Sequence, residues 1–450
     1  MKVNAWMSNV NDSDSGMNLT LSRQEDAEFS EHFRESDYII NIDETKCRQT
    51  IDGFGASMTD ASAWLMYLHL RKELKRPDAY RELILKIFNK ENGIGLSMLR
   101  QPIGASDYSL KWYTYVDKIN PEMEHFSIDY DLQYIIPCLK DALQTDNNRI
   151  KIIASPWSPP EWMKLNGEFN PEYYEALAKY FVNYILAYQQ QSISIWAVTP
   201  QNEPGYTTTD YPTMKMNAKV QAEFIGGYLG PAFEKNKLGC RIICYDHNWN
   251  DPGPEYIKEI YSNRQAYRYT AGCAWHWYSK DYTVAGEIRD QYPDKGMWLT
   301  EGSSGEWDPC RQWRDGFANQ MVSQINYLRL GCKSIIFWNI ALDENRGPNL
   351  IDNACRGLVM VNSKSGDITY NTDYYAMGHF SKFVDPAAIC ISSNEYSREI
   401  KTVAFQNTDG SKVLVVYNIT KEMKNLQIKW HNKAFEYHIP GETAATFKWE

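Results

Sequence analysis

A short apolar run turns abruptly into polar residues and proline in the stretch Ser194-Ile195-Trp196-Ala197-Val198-Thr199-Pro200-Gln201-Asn202-Glu203-Pro204. Such a run predicts a buried β-strand, and the prolines that follow predict a sharp exit into a loop. A second stretch, Gly296-Met297-Trp298-Leu299-Thr300-Glu301-Gly302, has the same design. A carboxylate, Glu203 or Glu301, therefore stands where each of these two predicted strands ends.

Similar apolar runs alternate with helical patterns from about Ile51 onward, which is typical of a parallel sheet with crossover helices. Eight strands are predicted: Thr50 to Gly55, Leu96 to Pro102, Ile150 to Pro156, Ser192 to Pro200, Arg241 to Asp246, Gly272 to Tyr278, Gly296 to Glu301 and Ser334 to Ile340. Predicted helices between them include Asp60 to Leu70, Asp131 to Leu143, Pro171 to Gln189, Met214 to Phe233 and Arg311 to Leu330. Eight strands and helices over about 300 residues predict an α/β fold of the (β/α)8 barrel type.

After Tyr375 the pattern changes to short alternating strands separated by turn residues. Five strands are predicted: Val403 to Gln406, Val413 to Asn418, Leu426 to Trp430, Phe435 to His438 and Ala445 to Trp449. They predict a small antiparallel β-sandwich, to which the run Tyr38 to Ile42 would add a strand. We therefore predict that residues 1–45 contribute to the sandwich, that residues 46–375 form the catalytic barrel, and that residues 376–450 form the C-terminal sandwich.

The charge and composition exclude several classes of partner. The net charge is -10, and the chain has no basic stripe of the kind that nucleic-acid binding requires. We find no stretch of membrane-spanning length, so no transmembrane segment is predicted. Fifteen Trp and thirty-one Tyr favour a sugar-binding surface, because flat aromatic faces stack on ligands.

The N-terminal thirty residues are polar and contain no apolar run after a basic start. They predict a solvated, disordered segment rather than a cleavable signal peptide. Nine cysteines, without a Cys-x-x-Cys pair, predict reduced buried thiols. We therefore expect synthesis in the cytoplasm, with export by a route independent of a signal peptide, as a secreted effector, left open.

Glu203 and Glu301 would end the fourth and seventh strands, on opposite sides of one barrel mouth. Two carboxyl groups about 5 to 5.5 Å apart are the arrangement that cleaves a glycosidic bond with retention. We expect burial to raise the pKa of Glu203, the acid, and hydrogen bonds to keep Glu301, the nucleophile, ionised. Taken singly, Glu203 fits a helix N-cap or a surface loop equally well, and Glu301 fits an ion-pair partner.

Seven motifs occur in order along the chain: Gly53 to Asp60, Ala154 to Pro160, Asn202-Glu203-Pro204, His276-Trp277-Tyr278, Thr300-Glu301, Phe337 to Leu342 with Gly347-Pro348-Asn349, and Gly378 to Phe383. Their order resembles glycoside hydrolase family 30, in its glucosylceramidase (acid β-glucocerebrosidase) branch. The resemblance spans about Gln49 to Phe383. It implies a (β/α)8 barrel with an attached β-sandwich, and double displacement through a covalent glycosyl-enzyme intermediate without metal or organic cofactor.

Residue by residue, the resemblance implies that Glu203 is the acid/base and Glu301 the nucleophile. The residues implied to hold or wall the terminal sugar are Asp60, Trp157, Asn202 and Trp338. Those implied to lie beside the catalytic pair or on the leaving-group side are Tyr211, His276 and Tyr278. From the residues alone, Asp60 fits a helix cap, the two tryptophans fit core residues and His276 fits a structural histidine. Eight scattered histidines without His-x-x-x-His predict no metal site.

The sequence thus predicts a retaining β-glycosidase, with glucosylceramidase or β-glucosidase activity on a glycoside or glycosphingolipid. A β-1,6-glucanase or β-xylosidase of the same family is the alternative, because the loops Ser158 to Pro160 and Gly205 to Asp210 lie where the leaving group would sit. A non-catalytic carbohydrate-binding protein is the alternative from another class, and the paired carboxylates speak against it. The oligomeric state stays open.

Overall fold

The computed structural model describes residues 1–33, 36–145, 149–279, 281–305, 313–351 and 355–450. Eight parallel strands close into a barrel, each paired with the next along the chain and the eighth with the first. They are Gly53–Ser57, Met98–Pro102, Lys151–Ser155, Ile195–Val198, Arg241–Asn248, Thr270–His276, Gly296–Glu301 and Ser334–Phe337. The predicted (β/α)8 barrel is confirmed, and each predicted strand overlaps an observed one.

The barrel is a packed core. Its interior side chains come from seven strands and form one buried cluster: Met98, Ile153, Ala197, Ile243, Ala274, Trp298 and Ile336. The first and second strands approach so closely that a Cβ atom on Gly55 would lie 2.0 Å from the carbonyl oxygen of Met98. Glycine is therefore required at position 55.

Helices cover the outside of the barrel. The α-helices and the π-helical turns that continue two of them are Asp60–Ala63 with Trp64–Glu73, Pro77–Phe88, Ile135–Gln144, Tyr174–Gln190, Ala218–Phe224 with Ile225–Leu229, Gly230–Lys235, Pro254–Ser262, Arg264–Tyr269, Ala285–Gln291, Trp313–Leu330 and Thr372–Ser381. Short 3-10 turns are Asp131–Gln133, Glu161–Met163, Pro171–Tyr173 and Tyr282–Val284.

One predicted helix begins at a different residue in the structure, and the predicted start of another lies outside the described residues. The helix predicted from Met214 begins at Ala218, because the side chain of Asn217 accepts a hydrogen bond from the N–H of Val220 and caps it. The predicted start at Arg311 lies outside the described residues.

The sandwich has its own apolar core. Its strands are Lys2–Val10, Met17–Arg23, Ala27–Glu28, Tyr38–Thr50, Ile389–Ser393, Ile400–Gln406, Lys412–Asn418, Lys424–Trp430, Lys433–Ile439 and Thr443–Trp449. The strand Tyr38–Thr50 pairs in parallel with Lys424–Trp430 and antiparallel with Ile389–Ser393. The predicted β-sandwich is confirmed. Two small sheets lie elsewhere: Ala341–Leu342 with Val359–Val361 and Ile368–Tyr370, and Lys164–Leu165 with Glu168–Phe169.

The expectation of a disordered N-terminal segment is wrong. The strand Lys2–Val10 pairs antiparallel with both Thr443–Trp449 and Met17–Arg23. Val3, Ala5 and Met7 are buried in the sandwich core, whereas the residues between them are partly exposed. This alternation is typical of a strand. It was overlooked because most of the thirty N-terminal residues around Val3, Ala5 and Met7 are polar.

Aromatic contacts join the sandwich to the barrel. The ring centroid of Trp6, in the sandwich strand Lys2–Val10, lies 4.5 Å from that of Phe383, which follows the helix Thr372–Ser381. Phe380 in that helix in turn packs on Phe54 of the first barrel strand, with ring centroids 5.8 Å apart. Among the described residues, every cysteine is a free thiol, and no helix has the length and apolar character needed to cross a membrane.

Candidate active site

Glu203 leaves the fourth barrel strand through a tightly bonded turn. The N–H of Asn202 donates to the carbonyl of Pro156 (2.8 Å), and the N–H of Glu203 donates to the carbonyl of Asp246 (3.0 Å). Glu203 has a φ of +46°, a left-handed conformation that non-glycine residues rarely adopt. These bonds fix the direction of the Glu203 side chain over the barrel mouth.

Arg100, on the second strand, is the buried cation of the site. One guanidinium nitrogen donates to the carboxylate of Glu301. The other donates to Oδ1 of Asn202 (2.6 Å) and to Oδ2 of Asp246 (2.9 Å). Arg100 is completely buried, so its charge is balanced by the carboxylates and not by water.

Asp246, on the fifth strand, is a buried anion that accepts five hydrogen bonds. They come from Arg100 (2.9 Å), Ser155 (2.9 Å), Thr199 (2.6 Å), Thr300 (2.6 Å) and Nε2 of His276 (3.0 Å). Burial would raise its pKa, but the charge of Arg100 and the bond from His276 hold that pKa well below the usual range.

His276, at the end of the sixth strand, connects the two candidate catalytic carboxylates. Its Nδ1 lies 3.0 Å from Oε1 of Glu203 and 3.9 Å from Oε1 of Glu301. Burial alone would lower its pKa, but Glu301, Asp246 and Glu203 together raise the pKa of His276 to about 9. His276 is therefore a cation at neutral pH, with one N–H directed to Glu203 and the other to Asp246.

Glu301 ends the seventh strand with its carboxylate held from two sides. Arg100 bonds to Oε2, and the hydroxyl of Tyr278 donates to Oε1 (3.1 Å). Glu301 is nearly buried, whereas the side chain of Glu203 is 17% exposed. The more exposed carboxyl is thus the one beside the loop Gly205 to Asp210.

The pKa shifts of Glu203 and Glu301 are the reverse of those expected from the sequence. Burial raises the pKa of Glu203, but the hydrogen bond from His276 and the charges of His247, His276 and Arg100 bring it below the ordinary value. Burial and the charge of Glu203 keep the pKa of Glu301 above its ordinary value, although His276 and Arg100 oppose them. The physical reason is that His276 contacts Glu203 more closely, and the two carboxyls titrate as a pair.

Trp157 and Trp338 form an aromatic wall beside this network. Their rings stack with centroids 4.9 Å apart, and the guanidinium of Arg100 lies 4.7 Å from the ring centroid of Trp157. The side chain of Trp338 hydrogen bonds to Asp107. Tyr211 packs against the same apolar cluster. The wall carries both a flat surface and polar groups, as a sugar site requires.

Asp107 is a fourth carboxyl in the site, beside those of Glu203, Asp246 and Glu301. Burial, followed by the charges of Glu301 and Glu203, raises its pKa to about 8. Its buried Oδ1 has no hydrogen-bond partner within the described part of the chain. A neutral carboxyl with a free oxygen can both donate to and accept from a sugar hydroxyl.

The structure brings together eight of the nine residues that the sequence analysis selected. The residues in or against the network are Glu203, Glu301, Asn202, His276, Tyr278, Trp157, Trp338 and Tyr211. Asp60 is different, because its carboxylate accepts from the N–H of Leu110 (2.9 Å) and from the hydroxyls of Tyr130 (3.0 Å) and Tyr134 (2.5 Å). Its role as a sugar ligand stays a prediction, and the geometry favours Asp107 for that role.

The sequence analysis did not select four residues of this network as site residues: Arg100, Asp107, Asp246 and His247. The first two lie in the segment Arg100 to Tyr108 that ends the second strand, so their position was the available signal. Asp246 and His247 close the fifth strand, which carried none of the motifs. Their importance depends on partners from other strands.

Comparison with known proteins identifies the family of both domains. Residues 51–384 match the family model of the glycosyl hydrolase family 30 TIM-barrel domain, and residues 388–447 match the family 30 β-sandwich domain. The fold and the site define a barrel glycosidase. The chain belongs to glycoside hydrolase family 30.

Its relatives have two kinds of activity in their names. The chain is 28% identical to mouse lysosomal acid glucosylceramidase, covering 91% of this chain and 83% of the relative. It is 30% identical to an endo-1,6-β-D-glucanase of Aspergillus fumigatus, covering 89% and 86%. The solved structure of an endo-β1,6-glucanase superposes with a TM-score of 0.91 at 30% identity, covering 100% of this chain and 99% of that one.

The buried charge network predicts that Asp246→Asn destabilises the protein. Asparagine keeps the shape but removes the negative charge, so that buried Arg100 and His276 lose a shared counter-charge. We expect the thermal midpoint in calorimetry to fall by about 5 °C or more. Thr300→Val is the matched control, because it removes one neutral donor to the same carboxylate and should cost about 1 kcal/mol. Equal midpoints for the two variants would contradict the electrostatic account.

Proposed function

We propose that the protein is a retaining β-glycosidase that cleaves a β-glucosidic bond by double displacement. The observation that carries the proposal is the pair Glu203 and Glu301, whose carboxylates share one neighbour, Nδ1 of His276, at 3.0 and 3.9 Å. No metal or organic cofactor is needed, because an acid and a nucleophile suffice for this chemistry.

Glu301 acts as the nucleophile. Arg100 and Tyr278 hold its two oxygens, which fixes the carboxylate under the anomeric carbon and stabilises its charge. An oxygen of Glu301 bonds to the anomeric carbon while the bond to the leaving oxygen breaks. The electron pair goes to the leaving oxygen, and a glycosyl ester remains on the enzyme.

Glu203 supplies and recovers the proton. Nδ1 of His276 lies 3.0 Å from Oε1 of Glu203, so that the two groups share a proton and form a proton reserve next to the leaving oxygen. Glu203 transfers a proton to that oxygen in the first step. In the second step it accepts a proton from the water that attacks the anomeric carbon and releases Glu301.

The distance between the two carboxylates supports retention. Both oxygens lie within 4 Å of one nitrogen, so they are at most about 7 Å apart. This bound covers the roughly 5 to 5.5 Å of the retaining arrangement and reaches only the lower end of the roughly 6.5 to 9.5 Å of the inverting one. An inverting enzyme needs a longer separation, because a water molecule must fit between the base and the sugar.

The sugar is held by the wall beside the network. We assign its flat face to Trp157 and Trp338, and its hydroxyls to Asp107 and to the amide NH2 of Asn202, whose oxygen is already bonded to Arg100. The guanidinium of Arg100 and the polar groups of Asp107 and Asn202 beside the two tryptophans distinguish this wall from an apolar core. A non-catalytic sugar-binding protein would have no use for the proton reserve on Glu203.

The two activities named among the relatives share one bond type. Glucosylceramide and a β-1,6-glucan both carry a β-glucosyl group on a primary alcohol carbon. We propose that this chain cleaves such a bond and that its preferred leaving group is amphiphilic, as in glucosylceramide. The large apolar side chains Leu110, Trp112 and Tyr206 support this preference, because they are 38%, 49% and 44% exposed on loops that follow the second and fourth strands. The glucanase relatives favour β-1,6-glucan as the second candidate.

We predict that replacing the nucleophile, Glu301, nearly abolishes activity. Glu301→Gln should lower kcat on an aryl β-glucoside by roughly a thousandfold or more, because an amide cannot form the glycosyl ester. Glu287→Gln, on the exposed face of a helix, is the matched control. Near-ultraviolet circular dichroism checks that both variants fold. Substantial turnover by folded Glu301→Gln would refute the assignment.

We predict that azide restores turnover to a variant that lacks the acid/base, Glu203. With Glu203→Ala, an activated aryl glucoside still forms the glycosyl enzyme, because a good leaving group needs little protonation. Azide should then accelerate turnover and yield β-glucosyl azide, which nuclear magnetic resonance identifies. An α-azide would contradict retention, and the lack of any rescue would contradict the role of Glu203.

A substrate panel decides the leaving group. We expect release of glucose from glucosylceramide in detergent micelles and from short β-1,6-linked glucose oligomers, with the higher kcat/KM for the lipid. An aryl β-xyloside should be a poor substrate. A higher kcat/KM for the oligomers would assign the protein as a β-1,6-glucanase, and preference for the xyloside would overturn the β-glucoside proposal.

A further inference from the structure

His247 is a buried histidine that the proposed mechanism does not use. Its side chain is 2% exposed, and neither ring nitrogen has a hydrogen-bond partner in the residues that the structure describes. Both Nδ1 and Nε2 of a histidine are normally satisfied when buried, because an unpaired polar atom away from water is costly. An unsatisfied imidazole of this kind indicates a ligand.

The backbone directs His247 into the site. Tyr245 and Asp246 both have positive φ values, +74° and +69°, and the pairing with the sixth strand is irregular between Tyr245 and His247. Such a bulge redirects side chains, and it commonly lies beside functional sites. As a result, Asp246 reaches His276 while the next residue, His247, reaches Glu203.

The donor atoms have the spacing of a metal site. Oε1 of Glu203 lies 3.0 Å from Nδ1 of His276 and 3.6 Å from Nδ1 of His247, and one donor atom from each of the three residues falls within a 4.8 Å cluster. In a tetrahedral zinc site with bonds of about 2.0 to 2.1 Å, neighbouring ligand atoms are about 3.4 Å apart. The two observed distances lie on either side of that value.

We propose that Glu203, His247 and His276 form a binding site for a zinc-type divalent cation, and that the bound cation inhibits the enzyme. Two imidazoles and one carboxylate are the ligand set that suits zinc, with a fourth position open to water. The sequence showed no local motif for this site because its ligands come from the ends of three different strands.

Asp246 completes the site as an outer partner. Nε2 of His276 is 3.0 Å from Oδ1 of Asp246, which leaves Nδ1 on the side of the cation. A carboxylate that bonds the second nitrogen of a ligating histidine fixes its tautomer and strengthens its binding. The cation would displace the proton on Nδ1 of His276 to solvent, take the place of the His276–Glu203 hydrogen bond and occupy the acid/base, so that the leaving oxygen could not be protonated.

The binding test is independent of activity. Metal-free protein is titrated with Zn²⁺ in competition with a chromophoric chelator, and we expect one tight site per chain. His247→Asn should weaken binding by about a hundredfold, because one of three ligands is lost. His431→Asn is the matched control, since His431 is exposed on the sandwich, and its affinity should equal that of the unaltered protein. Absence of a site, or equal affinities for both variants, would overturn the proposal.

Two further readings keep the test decisive. Co²⁺ added to the unaltered protein should give the intense visible absorption of a four-coordinate site, whereas only the weak absorption of the hydrated ion would refute it. The inhibition rests on the proposed function, and we expect Zn²⁺ to inhibit competitively at the concentrations that saturate binding. Binding without any glycosidase activity would uphold the site and refute the function, and activity that saturating Zn²⁺ leaves unchanged would refute the inhibition.

Discussion

The active site depends on the complete burial of one positive charge. Arg100 has no access to water, so its guanidinium must find anions within the barrel. Asp246 meets one side of it and Glu301 the other, and both come from strands that the barrel closure brings opposite the second strand. The same ion pairs that make the buried charge tolerable also hold the carboxylate of Glu301 in place, so that the stability of the barrel and the geometry of the site have one origin.

A second consequence is the net charge of the pocket. Arg100 and protonated His276 carry two positive charges, whereas Asp246, Glu203 and Glu301 carry three negative ones when ionised. One negative charge is therefore in excess in the pocket when all three carboxylates are ionised. A preorganised negative environment stabilises the positive charge that develops on a sugar ring in the transition state.

Local patterns predicted the architecture well, because each strand is a short apolar run with a loop signal at its end, and each helix lies between two such runs. They located Glu203 and Glu301 for the same reason, since Glu301 ends the seventh strand and Glu203 lies in the turn that follows the fourth. They failed for Asp246 and His247, whose significance depends on a bulge and on partners from other strands. They also failed for the N-terminal strand Lys2–Val10, in which five of nine residues are apolar but a polar run, Asn11 to Gly16, follows directly. The direction of the pKa shifts could not be predicted, because it depends on distances between side chains that are remote in sequence.

The pairing of Lys2–Val10 with Thr443–Trp449 constrains how the chain acquires its shape during synthesis. The edge of Lys2–Val10 that pairs with Thr443–Trp449 has no partner until Thr443–Trp449 has left the ribosome. The whole barrel is translated between these two strands. The side chains of Val3, Ala5 and Met7 therefore lack part of the core that buries them while the barrel is translated. The sandwich is completed last, and the interval before its closure is the period in which the nascent chain is most exposed to aggregation and most in need of chaperones.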